Sequence, residues 1–358
     1  MNLQQLRSVR EAARRGFNLT EVARALHTSQ PGVSRQIREL EQELGFELFV
    51  RAGKRLTSLT QAGAVALPVI EGILAGAENL LRVGEEYARQ SAGKLSIAAT
   101  HSQARYALPD AVHDFRRRYP DVQLELHQGS PQQVAEMLLN GEADIGIATE
   151  ALTEYEPLVT LSCYRWTHSV IVPPRHPLLD DETLTLERVA DYPVITYSPG
   201  FSGRMRIDDA FHARGLSPNV VLTAMDADVI KTYVELGLGI GIVASIAFDE
   251  ERDTRLRAID AGQLFPVNVT RLAFRRGTFL RSYVYDFIET FASPLTREVV
   301  EQAATQTRGI DFQIWTGGQP SLRWACPRRL AEGAASTVVH PVTPFVPRTT
   351  PGARTLRS

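Results

Sequence analysis

The sequence predicts an α/β protein of 358 residues with an all-α amino-terminal head, one long connecting helix and a body of two α/β lobes. Three observations carry this. Apolar residues recur at helical spacing through the first sixty residues. Residues 60–90 repeat Ala, Leu, Val and Ile at helical intervals with no compact domain of their own. Past Gly93, short apolar runs alternate with helical stretches, the pattern of a mainly parallel sheet. Charge follows the same division: residues 1–60 carry ten basic and six acidic side chains, residues 303–358 seven and two, and the acidic body between them 22 and 33. A basic end on an acidic body suits a polyanion-binding head on a sensing or catalytic body.

A composition of 44% hydrophobic and 22% charged residues is that of a globular protein with room for two or three domains. Cys163 and Cys326 are too few and too far apart for a disulfide framework or a zinc cluster, which fits a reducing compartment. The amino-terminal stretch "MNLQQLRSVREAARRG" lacks the apolar run of a signal peptide, and "AVALPVIEGILAGA" is interrupted by Pro68 and Glu71. The expected location is the cytoplasm, with no membrane partner, no metal site, no cofactor and no catalytic residues.

Leu3, Leu6, Val9 and Ala13 make residues 2–15 an amphipathic helix, with Arg7, Arg10 and Arg14 on other faces. A second helix follows with Thr20 as its expected cap and Val22, Ala23 and Leu26 facing inward. The turn "HTS" leads to a third, capped by Ser29, with Pro31 in its first turn. Val33, Ile37, Leu40 and Leu44 form its inward stripe. Outward near its start stand Gln30, Pro31, Ser34, Arg35 and Arg38, short polar groups and arginines of the kind that reach base edges and phosphates in a major groove. The hairpin "RAGKRLTSLT" adds Arg51, Lys54 and Arg55 as a basic wing. The expected head, residues 1–59, is a winged helix-turn-helix that binds double-stranded DNA.

The stretch "TSQPGVSRQIRELEQELGFELFVRAGKRLTSLTQAG" resembles the amino-terminal signature of LysR-type transcriptional regulators. The resemblance implies that Gln30, Pro31, Ser34 and Arg35 meet the operator and that the wing residues meet phosphate. It also implies a homotetramer and contact with RNA polymerase. Residues 60–92 read as a linker helix whose apolar face is buried against a partner copy, as the resemblance also implies, with Pro68 expected to kink or interrupt it.

In the body, strand and helix patterns run from "KLSIAAT" to "ADIGIAT", and a second set runs from about 163 to "IGIVAS". "VNVTRLAFRRG" and "SYVYDFIETFA" then return to the first lobe. The expected bounds are 93–302 for the body, with lobe I about 93–162 and 268–302 and lobe II about 163–267. Two lobes joined by crossing segments create a cleft that closes on a small ligand, as in periplasmic binding proteins.

Sites in such sheets lie beyond the carboxyl ends of strands, where helix starts present free amides. Thr100, Ser102 and Gln103 lie there, as do Thr149 and Ser202. Hydroxyl and amide donors at helix starts suit a small oxyanion; the competing reading of each is a routine helix cap. His101 and Trp166 read as structural side chains and stand outside this set. "THSQARYALP", "HQGSP", "GEADIGIATEAL", "LSCYRW", "GFSGR", "DADVIKTYVELGLGIGIVAS" and "FRRGTFLRSYVYDFIETFA" resemble, in order to about residue 302, the CysB-type regulators of sulfur assimilation and cysteine biosynthesis. By that resemblance Thr100, Ser102, Gln103, Thr149 and Ser202 match sulfate-binding positions of the effector cleft, Ser standing at 102 and 202 where relatives usually have Thr. The implied effectors are sulfate, thiosulfate or acetylserine, and the implied role is activation of cysteine-biosynthesis genes. The alternatives are a LysR-type regulator of another regulon, or a cytoplasmic anion-binding protein or enzyme. "GLGIGI" leads from helix into strand, the reverse of a dinucleotide loop, and "GFSGR" lacks the spacing of a nucleophile elbow. Residues 303–358 hold six of the 20 prolines with little periodicity, and disorder is expected there.

Overall fold

The computed structural model describes residues 1–53, 55–88 and 92–306, with Ser202 described through its backbone alone. The head comprises helices α1 (Leu3–Arg14), α2 (Leu19–Ala25) and α3 (Gln30–Leu44), then strands β1 (Phe49–Ala52) and β2 (Arg55–Leu59) paired as an antiparallel hairpin. Each helix starts on a side chain that accepts amide protons left over at a helix start. Asn2 and Gln5 form a reciprocal box on α1, and Ser29 Oγ accepts from Gly32 N at 3.2 Å on α3, with Pro31 in the first turn. On α2 the cap is Asn18 rather than the expected Thr20. The Asn18 amide oxygen sits just outside the helix and reaches the Thr20 and Glu21 amides, whereas Thr20 is already helical.

Leu6, Val9, Val22, Val33, Ile37, Leu40 and Phe49 share one core. Leu44, expected in the inward stripe, is 36% exposed, because α3 ends in a left-handed Gly45 (φ 77°) and the chain turns away. Glu41 is the buried residue of this last stretch. Its carboxylate accepts from the Leu48 and Phe49 amides and pairs with Arg51, so a buried charge is satisfied on three sides.

Helix α4 (Gln61–Ala88) runs uninterrupted through Pro68. The expected break does not occur: proline deletes one backbone bond, and the rest of a 28-residue helix remains. Ile70 and Leu74 complete the head's core, while Val65, Val69, Leu80 and Leu81 are exposed in the single chain.

Lobe I contains β3 (Gly93–Ala99), α5 (Leu108–Arg118), β4 (Val122–Gln128), α6 (Pro131–Asn140), β5 (Ile145–Ala148) and β6 (Leu158–Trp166). Lobe II follows with β7 (His168–Val172), α7 (Leu186–Ala190), β8 (Val194–Tyr197), α8 (Ser202–Ala213), β9 (Val220–Ala224), α9 (Ala227–Glu235), β10 (Ile240–Ala244) and β11 (Arg257–Asp260). The chain then returns to lobe I through β12 (Asn268–Arg275), α10 (Ser282–Phe291) and α11 (Arg297–Thr305).

Strand order is β4-β3-β5-β12-β6 in lobe I and β11-β7-β10-β8-β9 in lobe II. Each sheet is mixed rather than mainly parallel. The strands β4, β3 and β5 are parallel, and so are β10, β8 and β9; the others run antiparallel to their neighbours. The reason is the crossing itself: β6 leaves lobe I and β12 re-enters beside it, paired from Leu158↔Arg275 to Trp166↔Asn268. The lobe I strand therefore extends to residue 166, beyond the expected boundary near 162. Val300 and Ala303 of α11 join the lobe I core, so this helix continues past residue 302, where the tail was expected to begin. Residues 307–358, on which the expectation of disorder falls, lie outside the described residues.

Candidate functional site

On the head, the start of α3 is exposed at Ser29, Gln30, Pro31, Arg35 and Arg38, and Ser34 is half-buried among them. The core face of Val33, Ile37 and Leu40 dictates this, since residues one or two positions away must turn outward. Arg38 donates to Ser34 Oγ at 2.9 Å, and Arg35 pairs with Glu39 at 2.7 Å. The Arg35–Glu39 pair is exposed, so a competing phosphate or base edge displaces it at little cost. The hairpin leaves Arg55 exposed around Gly53 (φ 63°), and Lys54 lies outside the described residues. Arg51, expected to meet phosphate, is instead turned inward onto buried Glu41, so the structure gives it the task of fixing the wing to α3.

In the body, one pocket lies between the lobes. Thr100, Ser102, Gln103 and Thr149 line it from lobe I with Pro131, and Tyr197, Phe201, Gly203 and Met225 line it from lobe II. Thr100, Gln103 and Thr149 are buried. The free space is about 30 Å³, enough for a small ion and far below the hundreds of Å³ of a drug-sized site. Among the described residues that line it there is no Lys, Arg, Asp or Glu.

The competing explanation of the hydroxyls as caps does not hold at two positions. The five-residue π-helix at Gln103–Ala107 has Ser102 before it, and the 3₁₀ turn at Glu150–Glu154 has Thr149 before it; neither side chain makes a capping bond. Ser202 opens α8 after Phe201, whose side chain caps nothing either; Phe201 O takes the Arg204 amide at 3.0 Å, which leaves the Ser202 and Gly203 amides without a capping side chain. Nothing is described of the Ser202 side chain. Gln103 is oriented by lobe I alone: its Oε1 accepts from the Tyr164 hydroxyl and its Nε2 donates to Thr270 Oγ1 at 3.1 Å. An amide nitrogen has two protons, so one remains for a ligand.

Two residues set aside in sequence line this pocket. Trp166 is buried, and its indole Nε1 has no hydrogen-bond partner; His101 Nδ1 is likewise buried without one. An indole N–H left unpaired in a site costs free energy that a ligand oxygen removes. A single aromatic at a strand end has no spacing signal, and only the β6–β12 crossing brings Trp166 to the cleft. Behind them His168 is fully buried, and burial pushes its pKa down to about 4, so the ring is neutral. A Cβ at Gly203 would lie 3.3 Å from His168 Nε2 and 3.5 Å from the Trp166 ring, so glycine lets α8 start close to the floor.

Two sets of polar contacts strap the lobes together. Asp228 of α9 accepts from the Tyr106 hydroxyl at 2.7 Å and pairs with Arg105 at 3.1 Å, and Glu150 of lobe I pairs with Arg206 of α8 at 2.9 Å. Burial opposes the Asp228 charge, yet the bonds from Tyr106 and Arg105 and nearby Lys231 hold its carboxyl below the ordinary value. His101 lies close to Asp226 and Asp228, but Asp228 is already neutralised by Arg105 and Lys231, which leaves little attraction for a metal ion. The arrangement suits a dehydrated oxyanion held by neutral donors and helix-start amides.

Residues 3–64 match the family described as the bacterial regulatory helix-turn-helix protein, lysR family, and residues 88–294 match the LysR substrate binding domain. The chain is 56% identical over 303 residues to the HTH-type transcriptional regulator CysB of Burkholderia cenocepacia, covering 85% of this chain and 97% of that protein. It is 57% identical over 295 residues to the regulator SsuR of the same organism (82% and 96%), and 49% identical over 316 residues to the regulator cbl of Escherichia coli (88% and 100%). Among solved structures it is similar to the cofactor-binding domain of the Cbl transcriptional regulator, with 47% identity, TM-score 0.58, and 60% and 94% of the two chains covered. Full-length OxyR from Pseudomonas aeruginosa, at 21% identity and TM-score 0.62 over 82% and 94% of the chains, shares the fold. The chain belongs to the LysR family of DNA-binding transcriptional regulators and is not an enzyme.

Proposed function

We propose that this LysR-type regulator activates genes of sulfur assimilation and cysteine biosynthesis in response to a small sulfur oxyanion. The observation that carries the reading is the pocket: buried Thr100, Gln103 and Thr149, the uncapped start of α8 and an unpaired Trp166 N–H meet around a space for a small ion, with no Lys or Arg among the described residues that line it. Its size favours sulfate or thiosulfate over the larger acetylserine. The names of its CysB, SsuR and Cbl relatives support the regulon. Effector ligands in this reading are Thr100, Ser102, Gln103, Thr149 and Ser202, joined by Trp166.

Residues 1–59 serve as the DNA-binding domain, 60–92 as linker and 93–305 as effector domain. Ser29, Gln30, Pro31, Ser34, Arg35 and Arg38 face the operator, and Lys54 and Arg55 its phosphates, with Arg51 holding the wing. The exposed apolar residues of α4 pack against a second copy, and a tetramer contacts RNA polymerase. The protein works in the cytoplasm. Although α4 is long and apolar enough to cross a membrane by length and composition, Glu71, Glu78, Arg82 and Glu86 tie it to the head and lobe I by ion pairs. The test is titration of the full chain on a cysteine-biosynthesis promoter fragment with sulfate, thiosulfate and acetylserine. A shift in DNA affinity by an oxyanion supports the reading; response to none of the three refutes it.

A further inference from the structure

Helix α6 reaches from the pocket to the head. At its start Pro131 lines the pocket, and eight to nine residues later, about 13 Å away, its last carbonyls meet α1. There Arg14 Nη2 donates to Leu139 O at 3.3 Å and Nη1 to Asn140 O at 3.2 Å. The end of a helix presents unsatisfied carbonyls and partial negative charge, which a guanidinium fork matches. Between its ends α6 has no room to slip. Val134, Ala135 and Leu138 are buried against Ala98 and Ala148, and a Cβ on Gly146 would fall 2.6 Å from Leu138 and 2.9 Å from Val134. The strands beneath, β3 and β5, lead into Thr100 and Thr149. Arg14 also pairs with Glu71 of α4 at 3.4 Å, and a second bridge runs from Arg10 through Glu78 to Arg275 at 3.2 and 3.5 Å.

The geometry points to α6 as a rigid strut between the effector pocket and the DNA-binding head, with Arg14 the positioning residue that couples the two. The inference rests on the proposed effector reading of the pocket. Packed helices move as units, so a ligand that shifts the ends of β3 and β5 carries the α6 carbonyls with them and drags α1 through Arg14. Arg14 is outside the residues assigned to DNA, so its loss changes communication and leaves unliganded DNA binding intact.

The test uses full-length wild type, Arg14→Gln, Arg14→Lys and Glu71→Gln, a DNA duplex selected by the wild-type protein, and inorganic sulfate. Two readouts are taken: the change in DNA affinity caused by sulfate, and backbone amide exchange across residues 131–140 with and without DNA. In wild type, sulfate moves DNA affinity by about five-fold or more, the scale of an allosteric coupling. In Arg14→Gln that change falls below about two-fold while unliganded affinity stays within two-fold of wild type. Arg14→Lys recovers part of the change, and Glu71→Gln, which keeps the carbonyl contacts, retains it. DNA alters α6 exchange in wild type and not in Arg14→Gln. An undiminished sulfate effect in Arg14→Gln, or an equal exchange response to DNA in both proteins, overturns the strut. Where sulfate moves no protein's DNA affinity, sulfate is not the effector, and the exchange comparison alone decides the strut.

Discussion

Replacing Thr100 with valine isolates one ligand bond from the fold. Thr100 is 6% exposed, and its backbone is held without the hydroxyl: its amide donates to Ile147 O at 3.1 Å and its carbonyl accepts from Ala104 N at 2.9 Å. Valine keeps the branched shape and removes only the hydroxyl of this pocket-lining residue. A hydrogen bond to a charged group contributes about 1.5 to 3 kcal/mol, so the dissociation constant for sulfate rises about 10- to 150-fold. Thr100→Ser restores most of it. The assay is calorimetric titration of sulfate into each protein, beside thermal unfolding and DNA binding without ligand, both of which stay near wild type. A sulfate constant within two-fold of wild type in Thr100→Val refutes the assignment of this hydroxyl.

Arg35→Ala weakens operator binding and relaxes discrimination between sequences, whereas Lys54→Ala lowers affinity for all duplexes alike and flattens the logarithmic salt slope by about one; footprints and salt titrations separate the two. Glu41→Ala strands the Leu48 and Phe49 amides and Arg51, and destabilises the head by about 2 kcal/mol, read from urea unfolding with a probe in the head. The folded-state pKa of His168, about 4 against an ordinary 6.5, means that the unfolded chain takes up a proton first. Stability is therefore full above pH 6.5 and falls as pH drops from 6.5 to 4, by about 3 kcal/mol in all. His168→Phe lacks that slope in unfolding measured across this range, and an unchanged slope removes His168 as its source.

The sequence by itself determined the pieces whose physics is local. Ser29 and Pro31 mark the start of α3 because a cap and an N-terminal proline act within one turn. Val33, Ile37 and Leu40 face inward because period alone orients a helix, and that leaves Gln30, Ser34 and Arg35 outside. Thr100, Ser102, Gln103 and Thr149 were legible as ends of strands followed by helical turns. What lay beyond one turn was decided by tertiary structure. Arg51 looked like any wing arginine until Glu41, ten positions back, took it inward. Leu44 lost its place to the turn at Gly45. Asn18 outcompeted Thr20 because geometry at the helix edge selects the cap. Trp166 reads as packing along β6 and becomes part of the pocket only because β12 returns beside it from a hundred residues away. The contact of Arg14 with the end of α6 spans about 125 positions; such contacts arise from packing whole elements together, and no periodicity within either helix records them.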